Sequence, residues 1–472
     1  MTFDRLRGLI DTKFGCVWVF LFLSVNLIFD HDYGTNPLSR FAALCAMVED
    51  KSFRIDNYKH LTIDWSQTPD GYYYSNKAPG PILLGYPIFW VFDNTLTSGE
   101  AQREKRDILR LSYRDTGLKL LSITLQVVPY SILCLCALAW LRHQGVSYQG
   151  VQLACVALLF GHTATLFMNT FFGHALTATF VLALVLCILN HRYFVAGFCF
   201  GFAWLSDYTA VLLLPSTLAS IILQNSWRRS LSVVVRFGSG GILPGVLWIV
   251  YHVSCFGSPF IVPNSFQNPI FVNHHDYKIW GNLNYFPSPR IVLELLFGMR
   301  RGILWTQPWI FALLPCLLHV LVEANKRKEE LRKPIIVLTT MLLPSLFFVI
   351  WLIASFEGWH GGSTPGPRYL SLLFSPFGLL LGITYDRVTN LYRAMVCATL
   401  YFSICFFIVL FSTTILTPET DVPFERALSL LLASDDSNAP IKFLILLSAF
   451  ACAFYFTFIR SRPDSVAITQ SG

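Results

Sequence analysis

Acidic, basic and aromatic side chains gather in two polar stretches of an otherwise apolar chain of 472 residues. The first holds Asp30, Asp32, Asp50, Asp56 and Asp64 beside Arg40, Lys77 and the run Tyr72, Tyr73, Tyr74, and closes on Pro79-Gly80. A carboxylate within reach of an acceptor hydroxyl or amine acts as a general base, and a fixed cation offsets charge building on a departing phosphate. Such a set suits a phosphorylated, sugar-like ligand. The second stretch, FEGWHGGSTPGPRYL at 356–370, has the same character. Its glycines let backbone approach a ligand closely, Trp359 offers a face for stacking, and His360 and Arg368 offer donors.

Asp64, in LTIDWSQ, leads as the base, with Asp30 and Asp32 (directly after the first apolar run) and Asp56 as competitors. For any one of these acids the ordinary alternative is a solvated loop residue or helix cap. Lys77 sits between aromatics and a Pro-Gly turn, which favours a positioned cation over a lysine idling at lipid phosphates. Arg368 begins an apolar run at its polar edge, where an arginine either snorkels or meets an anion. Arg40, Arg301 and His360 are further phosphate donors, and Tyr74 and Trp359 are candidate walls of a sugar pocket. Asp207 and His174 are weaker candidates, with packing or structural roles as the alternative. His274, His275 and Asp276 are adjacent, so their side chains diverge, and no metal-type Cys/His spacing occurs.

The elements holding these residues are apolar. The chain is 54% hydrophobic, 15% aromatic and only 13% charged, with mean hydropathy +0.53, against about 25% charged in a soluble domain. Apolar runs fall at roughly 14–29, 117–141, 150–168, 173–190, 193–206, 209–224, 232–254, 302–322, 335–355, 369–385, 394–416 and 441–459. That pattern predicts an all-α, polytopic membrane protein of about twelve transmembrane helices, and no alternating pattern argues for a barrel. The net charge of +7 lies in the breaks, as in Lys326, Arg327, Lys328, Arg332 and Lys333. It therefore reads as positive-inside topology rather than nucleic-acid binding. The twelve cysteines fall mostly in apolar runs and read as packing.

The chain divides into residues 1–254, with a long first outer loop at 30–116, and residues 255–472, with outer loops at 255–301, 356–368 and 417–440. In the first loop, SRFAALCAMVED has helical apolar spacing, and PILLGYPIFWVF is too short to span comfortably. Both are expected to be interfacial helices forming a platform over the bundle.

The segments SRFAALCAMVED, TIDW, YYYSNKAPG, FGSPF, RRGILWTQP and WHGGSTPGPRYL resemble bacterial members of the GT-C superfamily of membrane glycosyltransferases. The likeness in kind is to dolichyl-phosphate-mannose–protein mannosyltransferase-like proteins and the lipid A aminoarabinose transferase. It covers most of the chain and is strongest at 36–90 and 356–370. The resemblance implies eleven to thirteen spans, a polyprenyl-phosphate-linked sugar as donor, inversion at the anomeric carbon, a catalytic acid in the first outer loop and a downstream cation on the lipid phosphate, matching Lys77. In the aminoarabinose type the acid precedes an Arg-aromatic-Ala element. Here Asn36, Pro37, Leu38 and Ser39 precede Arg40-Phe41-Ala42, so the base falls to another acid of the loop.

The expectation is a glycosyltransferase at the periplasmic face of a bacterial inner membrane, with membrane lipids as neighbours and no nucleic-acid partner. It needs no cofactor, with a divalent cation left open. The alternatives are a transporter or lipid flippase, and a non-catalytic partner in envelope assembly. Transport predicts ionisable residues spread through the spans and matching broken helices, whereas the charges here concentrate at one face.

Overall fold

The computed structural model describes residues 13–96, 110–271, 283–327, 332–433, 438–455 and 457. Lys328 and the group His274, His275 and Asp276 lie outside the described residues. In chain order the helices are α1 (Lys13–Ile28), α2 (Thr35–Cys45), α3 (Gly80–Leu96), α4 (Arg110–Ser122), α5 (Val128–His143), α6 (Tyr148–Phe160), α7 (Gly173–Leu189), α8 (Tyr193–Ser206), α9 (Leu214–Gln224) and α10 (Trp227–Gly240). They continue with α11 (Ile242–Phe256), α12 (Pro289–Phe297), α13 (Ile303–Thr306), α14 (Pro308–Arg327), α15 (Arg332–Ser355), α16 (Ser371–Tyr385), α17 (Asn390–Ser412), α18 (Pro423–Leu432) and α19 (Ala439–Phe454). One antiparallel hairpin, β1 (Trp65–Gln67) and β2 (Tyr73–Ser75), interrupts the helices, so the chain is mostly rather than wholly α.

Among the described residues three helical segments are long and apolar enough to cross a membrane: Ser112–His143, Lys333–Ser355 and Asn390–Ser412. A fourth would be α10 with α11, bent by 44°. Seven shorter apolar helices accompany them. Every apolar run of the sequence thus contains helix, but several runs hold breaks, such as the one at Gln307 between α13 and α14. The run at 150–168 ends as α-helix at Phe160 and continues through a 3-10 turn, Thr163–Phe167. The run at 232–254 breaks between Gly240 and Ile242, where Gly240, Gly241 and Pro244 weaken the helix. Glycine is needed there because α8 and α10 touch backbone to backbone. A Cβ on Gly197 would lie 1.7 Å from the Phe237 carbonyl oxygen, and one on Gly240 would lie 1.9 Å from that of Phe194.

The main core stretches from Trp18 on α1 to Phe450 on α19 and is rich in interlocking aromatics such as Trp18, Phe160 and Phe450. A second core lies under the first polar stretch, where Phe41 and Leu44 of α2 pack on Ile82 and Phe89 of α3 and on Leu118 and Leu121 of α4. Helix α2 is therefore buried along nearly its whole length. The expected amphipathic helix is present, but both faces are covered: its apolar side packs on α3 and α4, and its polar residues Asn36, Ser39 and Arg40 are buried as well. Helix α3 extends over 17 residues through Pro87, longer than its apolar core suggested.

Candidate functional site

The hairpin brings the leading acid and the leading cation together. Trp65 pairs with Ser75 in its register, so Asp64, just before β1, faces Asn76, just after β2, and Lys77 follows. Lys77 Nζ lies 3.1 Å from Asp64 Oδ1, with 16% and 10% of the two side chains exposed. Helix α2 fixes the carboxylate from the other side. Thr35 Oγ1 donates to Asp64 Oδ2 at 2.8 Å, and Ser39 Oγ donates to the Asp64 carbonyl at 2.5 Å. The Asp64 amide in turn donates to Thr62 Oγ1 at 3.0 Å.

The turn after Lys77 is set by close packing. A Cβ on Gly80 would sit 2.5 Å from Ser206 Oγ and 2.8 Å from the Leu205 carbonyl carbon. Only glycine allows this approach to the end of α8. The segment at 263–268 also clamps the hairpin: Ser66 bridges Gln267, Ser66 Oγ donates to the Pro263 carbonyl at 2.7 Å, and the Asn268 amide donates to the Trp65 carbonyl at 2.9 Å.

Opposite this pair stands the 356–370 loop. Gly361, at φ +73°, lays its backbone against Arg368, whose Nε would be 3.0 Å from a Cβ there. That Nε is buried with no hydrogen-bond partner among the described residues, and Arg368 Nη2 donates to the Tyr369 hydroxyl at 3.3 Å. His360 Nδ1 lies 2.8 Å from Glu419 Oε2 and 3.0 Å from the Gly362 amide nitrogen. A protonated ring pairs with the carboxylate; a neutral one accepts from the amide. Asp64, Lys77, Arg368, His360 and Glu419 share the walls of one open cavity of about 660 Å³, with Asn264 and Gln267 on the second-loop side.

Electrostatics follow from this crowding. Burial pushes the Lys77 ammonium down to about 8, the Asp64 charge only partly offsetting it, with Arg368 and Arg40 adding repulsion. Burial alone would raise the Asp64 carboxyl, but Lys77, the Thr35 hydroxyl and Arg368 together hold it below the ordinary carboxylate range. Burial also lowers His360; Glu419 opposes that shift and Arg301 and Arg368 reinforce it. The site therefore presents a deprotonated carboxylate beside cations. It can bind an anionic group and take a proton from a nucleophile next to it.

Other candidates are placed elsewhere. Arg40 is buried behind Asp64, its Nη1 donating to the Asn36 carbonyl at 3.2 Å while its Nε has no partner among the described residues. Burial lowers it to about 10 against the pull of Asp64 and Asp207. Arg301 spends its guanidinium on backbone carbonyls of His360 (3.0 Å), Arg300 (2.9 Å), Gly362 (3.1 Å) and Pro418 (3.2 Å). It therefore holds the loop's shape from beneath. Tyr74 packs with Tyr251 and Phe256, away from the cavity. Trp359 packs partly buried on the main core. Asp56 is exposed and accepts from the Tyr73 amide at 3.4 Å. Asp30 and Asp32 line a different cavity, where Asp30 pairs with Lys119. Asp207 pairs with His174 and accepts from the Thr209 amide and hydroxyl at 3.0 and 2.8 Å.

Thr35, Ser39 and Glu419 escaped sequence reasoning. The four-residue spacing of Thr35 and Ser39 puts both hydroxyls on one face of α2 and was the one signal available; Glu419 had none. The sequence matches no protein-family model and has no significant match among curated proteins.

Proposed function

We propose that this chain is a membrane glycosyltransferase of GT-C type, with about twelve spans, that uses a polyprenyl-phosphate-linked sugar at the periplasmic face of a bacterial inner membrane. The observation that carries the reading is that the buried Asp64–Lys77 pair shares one cavity with Arg368 and His360. In the proposed reaction the donor phosphate lies between Lys77 and Arg368 with His360 at its side. The acceptor oxygen or nitrogen attacks the anomeric carbon, the bond from that carbon to the phosphate oxygen breaks, and polyprenyl phosphate leaves. The acceptor's proton passes to Asp64. A carboxylate held below its ordinary range stays ionised at neutral pH and takes the proton as the new bond forms. The cations offset charge on the leaving phosphate, and inversion follows from single displacement.

The test is turnover of polyprenyl-phosphate sugars by the purified protein in nanodiscs, with Lys77→Ala and Arg368→Ala beside it. Both variants should be inactive while folding normally. Near-wild-type turnover in both would refute the clamp. For orientation, Asp70→Cys and Ser363→Cys should react with an impermeant thiol label in intact cells and Leu391→Cys should not; the reverse pattern would invert the topology.

A further inference from the structure

A second cavity, of about 620 Å³, lies on the other side of the chain segments that wall the first. Tyr33 and Thr414 face it, whereas Gly34, Thr35 and Leu416 face the Asp64 cavity. Its polar lining comes from the stretch after α1, from α4 and from α19, and its charges are largely matched in pairs. Lys119 pairs with Asp30, and Arg114 Nε donates to Asp115 Oδ1 at 2.8 Å. Two opposite charges remain without an ion-pair partner among the described residues, the Lys442 ammonium and the Asp32 carboxylate. His31 adds a buried Nε2 with no hydrogen-bond partner among the described residues, its ring held edge-on against Phe411 at 4.3 Å. Burial and the charge of Lys442 push His31 down to about 3, so its imidazole is neutral and has one nitrogen unused.

A ligand meeting one free cation, one free anion and one neutral donor or acceptor is itself a zwitterion. A metal ion fits poorly, since the described residues hold no group of three His, Cys, Asp or Glu arranged for one. The surroundings name the source. Beside the cavity the end of α1 exposes Leu27 and Ile28, and the start of α19 exposes Ile441, Leu444 and Ile445, all apolar and about half or more exposed. Exposed aliphatic residues on two apolar helices suit acyl chains.

We propose that this second cavity binds the headgroup of a zwitterionic phospholipid carrying a primary amine, its phosphate on Lys442 and His31 and its ammonium on Asp32, with the acyl chains along α1 and α19. The inference goes beyond the transferase reading and does not depend on it.

The experiment is native mass spectrometry of the delipidated full-length protein titrated with phosphatidylethanolamine, phosphatidylglycerol and phosphatidylcholine, with soluble phosphoethanolamine as competitor. Phosphatidylethanolamine should be retained about tenfold over phosphatidylglycerol, which leaves Asp32 unmatched. It should also be retained over phosphatidylcholine, whose quaternary ammonium donates no N–H hydrogen bond. Lys442→Ala and Asp32→Asn should each lower retention about tenfold, and Lys77→Ala should leave it unchanged. Equal retention of the three lipids, or wild-type retention in either cavity variant, overturns the proposal. Competition by soluble phosphoethanolamine at the lipid's own concentration overturns the membrane source. Should a variant lose its cooperative melt, the lipid series on the wild-type protein decides alone.

Discussion

The alkaline limb of donor binding tests the Lys77 clamp most directly. Its ammonium is buried against Asp64 and lowered to about 8, so its charge disappears within an accessible pH range. A group titrating near 8 is about 90% charged at pH 7 and about 10% charged at pH 9. If only the charged form grips phosphate, the apparent dissociation constant rises by the inverse of that fraction, roughly tenfold between pH 7 and 9. A polyprenyl-phosphate sugar is a phosphodiester and does not itself titrate in this range. Lys77→Arg should flatten the limb, because a guanidinium keeps its charge. Stability moves the other way. The folded value lies below the ordinary 10.5 of the unfolded chain, so the unfolded state binds more protons between about 8 and 10.5. The unfolding free energy therefore rises with pH across that window. Scintillation proximity binding of a labelled donor from pH 6.5 to 9.5, alongside melting curves, reads both effects. Affinity constant across the range, or an identical limb in Lys77→Arg, would refute the assignment.

Asp64→Asn keeps the volume and loses the basicity, so turnover at saturating donor should fall by 10²–10⁴, and donor affinity at neutral pH should weaken too because the charge that helps keep Lys77 protonated is gone, whereas Asp30→Asn, Asp32→Asn and Asp56→Asn should turn over normally. Gly80→Ala forces a methyl against Ser206 and the Leu205 carbonyl and should cost about 1–3 kcal/mol of stability, with donor affinity falling alongside because Lys77 moves. Arg301→Lys replaces a planar fork that reaches several loop carbonyls by three clustered donors. A melting shift worth about 2–3 kcal/mol is expected, together with weaker donor binding through displacement of His360.

Apolar runs located the helices because membrane crossing needs long unbroken segments, a local property. Glycine and proline around Lys77 and Arg368 likewise signalled constrained turns. The break at Gly241 was invisible, since it depends on where Gly197 of another helix touches α10. Burial of α2 was missed for a related reason: its apolar periodicity fits both a membrane surface and a protein core, and α3 and α4 decide which. Among the acids, types and spacing could not separate Asp64 from Asp30 or Asp32. What distinguishes Asp64 is the hairpin register that sets it beside Lys77, and three-residue strands are too short to declare themselves. Arg301 read as a phosphate donor because the carbonyls that occupy it, at residues 360, 362 and 418, are remote in sequence.

The clamp that residues 263–268 place on the hairpin has a consequence for biosynthesis. Asp64 and Lys77 come early in translation, Asn264 and Gln267 much later, and Arg368, His360 and Glu419 later still. A ribosome-bound chain stalled before residue 356 holds the acid and its lysine with no opposing wall. Its cavity lacks Arg368, His360 and Glu419. The cavity therefore closes late, only when residues 356–419 have been delivered.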